Sequence, residues 1–99
     1  MIYVVATLKI KPEARAEFIA AAIACIKETR KELGNFAYDL HESVTDPAKM
    51  VFVEQWENTE ALGPHRVSEH MKAFGRVAAK CLAAPPTIEY ITPDKVEAR

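Results

Sequence analysis

The sequence predicts an α+β domain of element order βαββαβ, with a four-stranded antiparallel sheet and two main helices on one of its faces. Three observations lead there. Segments of two-residue apolar alternation and segments of helical periodicity follow one another in that order. Gly34, Pro47 and Pro85-Pro86 punctuate the junctions. The first and third strand segments are apolar on both sides near their centres, whereas the second and fourth carry charge on one side. That contrast marks two central and two edge strands.

Each element has its own justification. Residues 2–10 place Ile2, Val4, Ala6, Leu8 and Ile10 on one face and Tyr3, Val5, Thr7 and Lys9 on the other, a strand period. Pro12 suits a first helical position, where its missing amide loses no partner. From Glu13 to Leu33, Phe18, Ile19, Ala22, Ile23 and Ile26 form an apolar stripe opposite Glu17, Lys27, Glu28 and Lys31, and Gly34 is a natural cap. Residues 35–44 alternate Phe36, Tyr38 and Leu40 with Ala37, Asp39, His41 and Ser43. Thr45 to Lys49 read as a turn, so residues 50–57 form a strand paired with the second as a hairpin. Asn58 or Thr59 can cap a short helix that Gly63-Pro64 interrupts. Ser68 can cap a longer one with the stripe Met71, Phe74, Val77, Ala78, Cys81 and Leu82. Pro85-Pro86 end it, residues 87–92 form a last short strand, and a polar tail covers about 93–99. All 99 residues thus read as one domain with the split βαβ of a ferredoxin-like fold.

Two helices cover one face of such a sheet. The face bearing Tyr3, Val5, Val51 and Val53 needs another cover, and a second copy of the chain is expected there as a homodimer joined sheet to sheet. Thirteen Lys and Arg against fourteen Asp and Glu leave a net charge of -1, which lacks the basic footprint of a nucleic-acid binder. No apolar run approaches the roughly 18 residues of a membrane span. The first residues lack the basic start and cleavage site of a signal peptide, so a cytoplasmic location is expected. Cys25 and Cys81, without CxxC spacing, read as buried reduced thiols. No glycine-rich phosphate loop or zinc spacing is present, so neither cofactor nor metal is expected.

By the strand period Ala6, Met50, Phe52, Glu54 and Trp56 share the helix-facing side. A pocket between sheet and second helix would be walled by Ala6, Tyr38, Phe52, Glu54 and Trp56, with His65, His70, Phe74 and Arg76 opposite. Glu54 stands in an apolar run, where a carboxylate needs a partner. Whether that partner is structural or a catalytic imidazole, a contact between Glu54 and a histidine is expected. His65 and His70 stand five residues apart, about 140° around an ideal helix, which argues against shared metal ligation. Either could act as a base, since an unperturbed imidazole titrates near 6.5. His41 and the run from Lys27 to Glu32 read as solvated surface.

The segments Gly34-Asn35-Phe36, Tyr38, Asp46-Pro47, Phe52-Val53-Glu54-Gln55-Trp56-Glu57, Ala61-Leu62, His65 and Ser68-Glu69-His70-Met71-Lys72-Ala73-Phe74 resemble the antibiotic biosynthesis monooxygenase (ABM) family, in its small quinol monooxygenase type. The resemblance implies a dimeric ferredoxin-like α+β barrel. It also implies oxidation of a hydroquinone-like or aromatic substrate by dioxygen without metal, flavin or haem. Two departures shape this expectation. The haem-degrading branch has an asparagine where Ala6 stands and a histidine near Gly75, so haem oxygenation is disfavoured. The branch acting on aromatic polyketides has a tyrosine where Leu62 stands, but its arginine is matched by Arg76. The other readings are an isomerase or lyase acting on a small enolisable ligand, and a non-catalytic dimer that binds a hydrophobic small molecule.

Overall fold

A computed structural model describes residues 1–99. The elements are β1 (Ile2–Lys9), a 3-10 turn (Pro12–Ala14), α1 (Arg15–Thr29), β2 (Asn35–Glu42), β3 (Lys49–Trp56), α2 (Leu62–Arg66), α3 (Glu69–Cys81) and β4 (Thr87–Ile91). The sheet is antiparallel in the order β2-β3-β1-β4, so the two strands with apolar centres are the inner ones. Its register sets Ala6 between Phe52 and Ile88, and Val4 between Glu54 and Tyr90. These side chains therefore share the covered face. There Ile2, Val4, Ala6, Leu8, Met50, Phe52 and Trp56 join Phe18, Ala22 and Cys25 of α1 and Ala78 and Cys81 of α3 in one core.

Several boundaries differ from the sequence reading, each for a local reason. Helix α1 ends at Thr29 rather than Leu33. Beyond it the backbone tightens into i,i+3 bonds, with the Lys31 amide donating to the Glu28 carbonyl and the Glu32 amide to that of Thr29. The buried stripe of α1 runs Phe18, Ala22, Cys25, Thr29, and Ile23, expected within it, is 62% exposed. Gly63-Pro64 does not interrupt α2 but lies in its first turn, where amides lack intrahelical partners anyway. Phe36 is the extra residue at an irregularity between Asn35 and Ala37, and is exposed although Tyr38, two positions on, is buried. Ser68 caps α3 as its position implies: its Oγ accepts from the Met71 amide and donates to the His65 carbonyl.

Both cysteines are free and buried, and burial raises the Cys25 thiol above its ordinary range. Residues 93–99 add no helix or strand. No helix is long and apolar enough to cross a membrane.

Candidate active site

A cavity of about 230 Å³ opens between the covered face of the sheet and α3. The inner strands floor it with Val4, Ala6, Leu8, Phe52 and Glu54, and β2 contributes Tyr38. Helix α3 roofs it with Met71, Phe74, Gly75 and Ala78. Because β4 lies beyond the helices, its covered-face residues Ile88 and Tyr90 stay half exposed and form the rim. The lining is apolar except at few residues: Tyr38, Tyr90, Glu54, His65 and Arg66.

His65 is the best-defined of these. It lies in α2 with 4% of its surface exposed, its ring centroid 4.8 Å from that of Trp56 and 5.4 Å from that of Tyr38. Its Nδ1 stands 3.0 Å from Glu32 Oε2 and 3.2 Å from Oε1. A carboxylate accepts only, so Nδ1 carries the proton and Nε2 keeps its lone pair. Nε2 has no hydrogen-bond partner within the chain, yet the one buried, unpartnered side-chain nitrogen or oxygen is Arg15 Nη1. Nε2 therefore keeps some accessible surface, on a ring that lines the cavity. Burial pushes the imidazole below its ordinary 6.5 despite the opposing pull of Glu32, which keeps it neutral near pH 7.

Glu54 is shifted the other way. It is 6% exposed and accepts one bond, 2.9 Å from Trp56 Nε1, while burial lifts its carboxyl from 4.5 to about 7. The expected contact between Glu54 and a histidine is absent. Trp56 satisfies Glu54 instead, and the histidines turn to Glu32, a residue read as solvated surface. The 2.5 Å bond between His70 Nε2 and Glu32 Oε1 completes this arrangement.

The structure thus gathers some expected residues and separates others. Ala6, Tyr38, Phe52, Glu54, His65 and Phe74 line the cavity. Trp56 does not: it is fully buried beneath it and backs both Glu54 and His65. His70 lies on the far side of Glu32 and lines no part of the cavity. Arg76 is exposed on α3 outside the lining. The cation at the cavity is Arg66, whose guanidinium sits 5.0 Å from the centroid of the Tyr90 ring. Nor does the helical angle keep the two histidines apart, because the chain breaks at Val67-Ser68 between α2 and α3 and brings their rings to 6.1 Å. A signal for Glu32 did exist: it continues the four-three spacing of Phe18, Ala22, Cys25 and Thr29.

A ferredoxin-like α+β domain with a carboxylate-held imidazole facing an apolar cavity defines the class. The particular family follows from comparison: residues 1–77 match the family described as antibiotic biosynthesis monooxygenase, and the chain belongs to it. It is 35% identical over 85 residues to the Bacillus subtilis protein named "Putative monooxygenase YcnE", covering 86% of this chain and 90% of that one. It is 32% identical over 90 residues to "Putative monooxygenase Rv0793" of Mycobacterium tuberculosis, covering 91% and 88%. The crystal structure of an antibiotic biosynthesis monooxygenase homologue from Caulobacter crescentus superposes with a TM-score of 0.89 at 33% identity, over 97% of this chain and 90% of that one. Family and relatives together support a monooxygenase-like function acting on a small molecule.

Proposed function

We propose that this chain is a cofactor-independent monooxygenase that oxidises a hydroquinone-like or aromatic small molecule with dioxygen, with His65 as base. The observation that carries the reading is the His65 ring, which lines an apolar cavity with one nitrogen donating to the half-buried Glu32 carboxylate and the other free of any hydrogen bond within the chain. Neutral hydroquinones react slowly with triplet dioxygen, and their anions give up an electron far more readily. In this reading Nε2 takes the phenolic proton while Glu32 holds the ring and stabilises the imidazolium that forms. Glu54, neutral up to about pH 7, donates to a second substrate oxygen. The opposite displacement of these two groups is the pattern by which one site holds a base and an acid together. Arg66, the cation at the cavity, offsets the substrate's negative charge. For a hydroquinone, one oxygen atom enters the ring and the other leaves as water, giving a hydroxyquinone. A second copy of the chain, packed on the open sheet face, completes the assembly.

The test is oxygen uptake across a panel of hydroquinones. The wild-type chain consumes dioxygen, and His65→Ala loses this by about a hundredfold or more while staying folded, in the range of general-base contributions. Turnover without dioxygen would replace the reading with an isomerase or lyase. Saturable binding without turnover would make the chain a carrier.

A further inference from the structure

One carboxylate gathers two imidazoles at the base of α2 and α3. Glu32, His65 and His70 each offer a ligand atom, and these atoms lie within 4.8 Å of one another. They come from three segments: the turn after α1, helix α2 and the first turn of α3. All three are partly or fully buried, which holds their side chains in place before any cation arrives. Beside them lies a second cleft of about 400 Å³ lined by Glu32, Glu57, Glu60 and uncharged residues, with no Lys or Arg in its wall. A cleft of one sign concentrates counter-ions and provides an entry path.

We infer that Glu32, His65 Nδ1 and His70 Nε2 form a binding site for a first-row divalent cation, zinc above all. Two imidazole nitrogens and one carboxylate oxygen are a donor set that zinc takes with a fourth position open to water. Zinc bonds of about 2.0–2.2 Å place ligand atoms roughly 3.4 Å apart in a tetrahedron. The carboxylate now stands 2.5 Å from His70 Nε2 and 3.0 Å from His65 Nδ1, and all three ligand atoms lie within 4.8 Å, so reaching that spacing moves no pair by more than about 1.5 Å.

The site has a chemical consequence, and this part rests on the proposed role of His65. Coordination at Nδ1 removes the proton that Nδ1 now donates to Glu32, and a neutral imidazole must then carry its proton on Nε2. That proton moves from one nitrogen to the other through solvent, with no net release. His65 then faces the cavity as a donor with no lone pair. Zinc is accordingly an inhibitor, acting from outside the cavity.

Cobalt(II) titration of the full, tag-free chain tests the site itself, through the visible absorption of tetrahedral cobalt, with zinc competition as a second readout. One equivalent is expected to bind, to be displaced by zinc, and to be weakened about a hundredfold or more in Glu32→Gln and in His70→Ala. His41→Ala, an exposed histidine elsewhere, serves as the control and binds as wild type. Circular dichroism melts confirm that each variant is folded. Absence of binding in the micromolar range, or binding that survives both substitutions, overturns the site. Oxygen uptake then separates the two claims: zinc inhibition reversed by chelation upholds the consequence. Stoichiometric binding that leaves uptake untouched keeps the metal site and overturns His65 as base.

Discussion

Glu54 is the residue whose energetics can be read most directly. Its carboxyl is buried, receives one hydrogen bond, and titrates near 7 instead of 4.5. A group whose folded value is raised contributes stability that is fully present below the unfolded value and is lost as pH rises through the folded one. The chain therefore loses stability from pH 4.5 to above 7, by up to about 3 kcal/mol from this group. Glu54→Gln keeps an acceptor for Trp56 Nε1 and removes the titration, so the variant should melt higher than wild type at pH 8 and lose that part of the slope. Denaturant melts of both proteins from pH 5 to 8 check this, and parallel curves would contradict it. The same residue shows what the sequence made legible and what it hid. A carboxylate in an apolar run announces burial and a needed partner, and Glu54 has both. Which partner it takes is a matter of side-chain direction, and Trp56, two positions along the same strand face, outcompeted the more distant histidines.

At the level of elements, periodicity fixes what is regular and misses where regularity stops. All four strands and both main helices were legible, because each buries a face with its own period. The end of α1 was not, since the pattern of charges continues smoothly past Thr29 into the turn that carries Glu32. The convergence of His65 and His70 was hidden for the same reason: it depends on a break in the backbone at Val67-Ser68. Gly34 is the pivot of this region. Its φ is +85°, a Cβ placed on it would come within 2.8 Å of Ala61 Cβ, and its carbonyl accepts from the Glu57 amide. Gly34→Ala thus combines left-handed backbone strain with overpacking, and should cost about 2–4 kcal/mol. A urea melt measures this, and a loss below about 0.5 kcal/mol would show that the turn relaxes freely.

For the molecule as a whole, the helices leave the second sheet face open. Tyr3, Val5 and Val51 are half-buried there, Val53 is 36% exposed, and the neighbouring Ile91 of β4 is exposed as well. A second copy covering this face predicts twice the 11.0 kDa chain mass in solution. Val53→Asp sets a charge on that face and should shift the chain to a monomer, as read by sedimentation equilibrium. A wild-type chain of monomer mass at micromolar concentration would contradict the sheet-to-sheet assembly. The rim formed by β4 also stays open in one chain, so the monomeric variant should bind aromatic ligands less tightly if the second copy rigidifies that strand.

The proposed chemistry depends most on the state of one imidazole. Nitrogen-15 NMR of the histidine side chains at pH 7.5, assigned with His65→Ala, reports it directly. The arrangement around Glu32 predicts a neutral His65 with the proton on Nδ1 and a lone pair on Nε2 that responds when an aromatic ligand fills the cavity. A proton found on Nε2 instead, or a ring that stays charged at that pH, would contradict it.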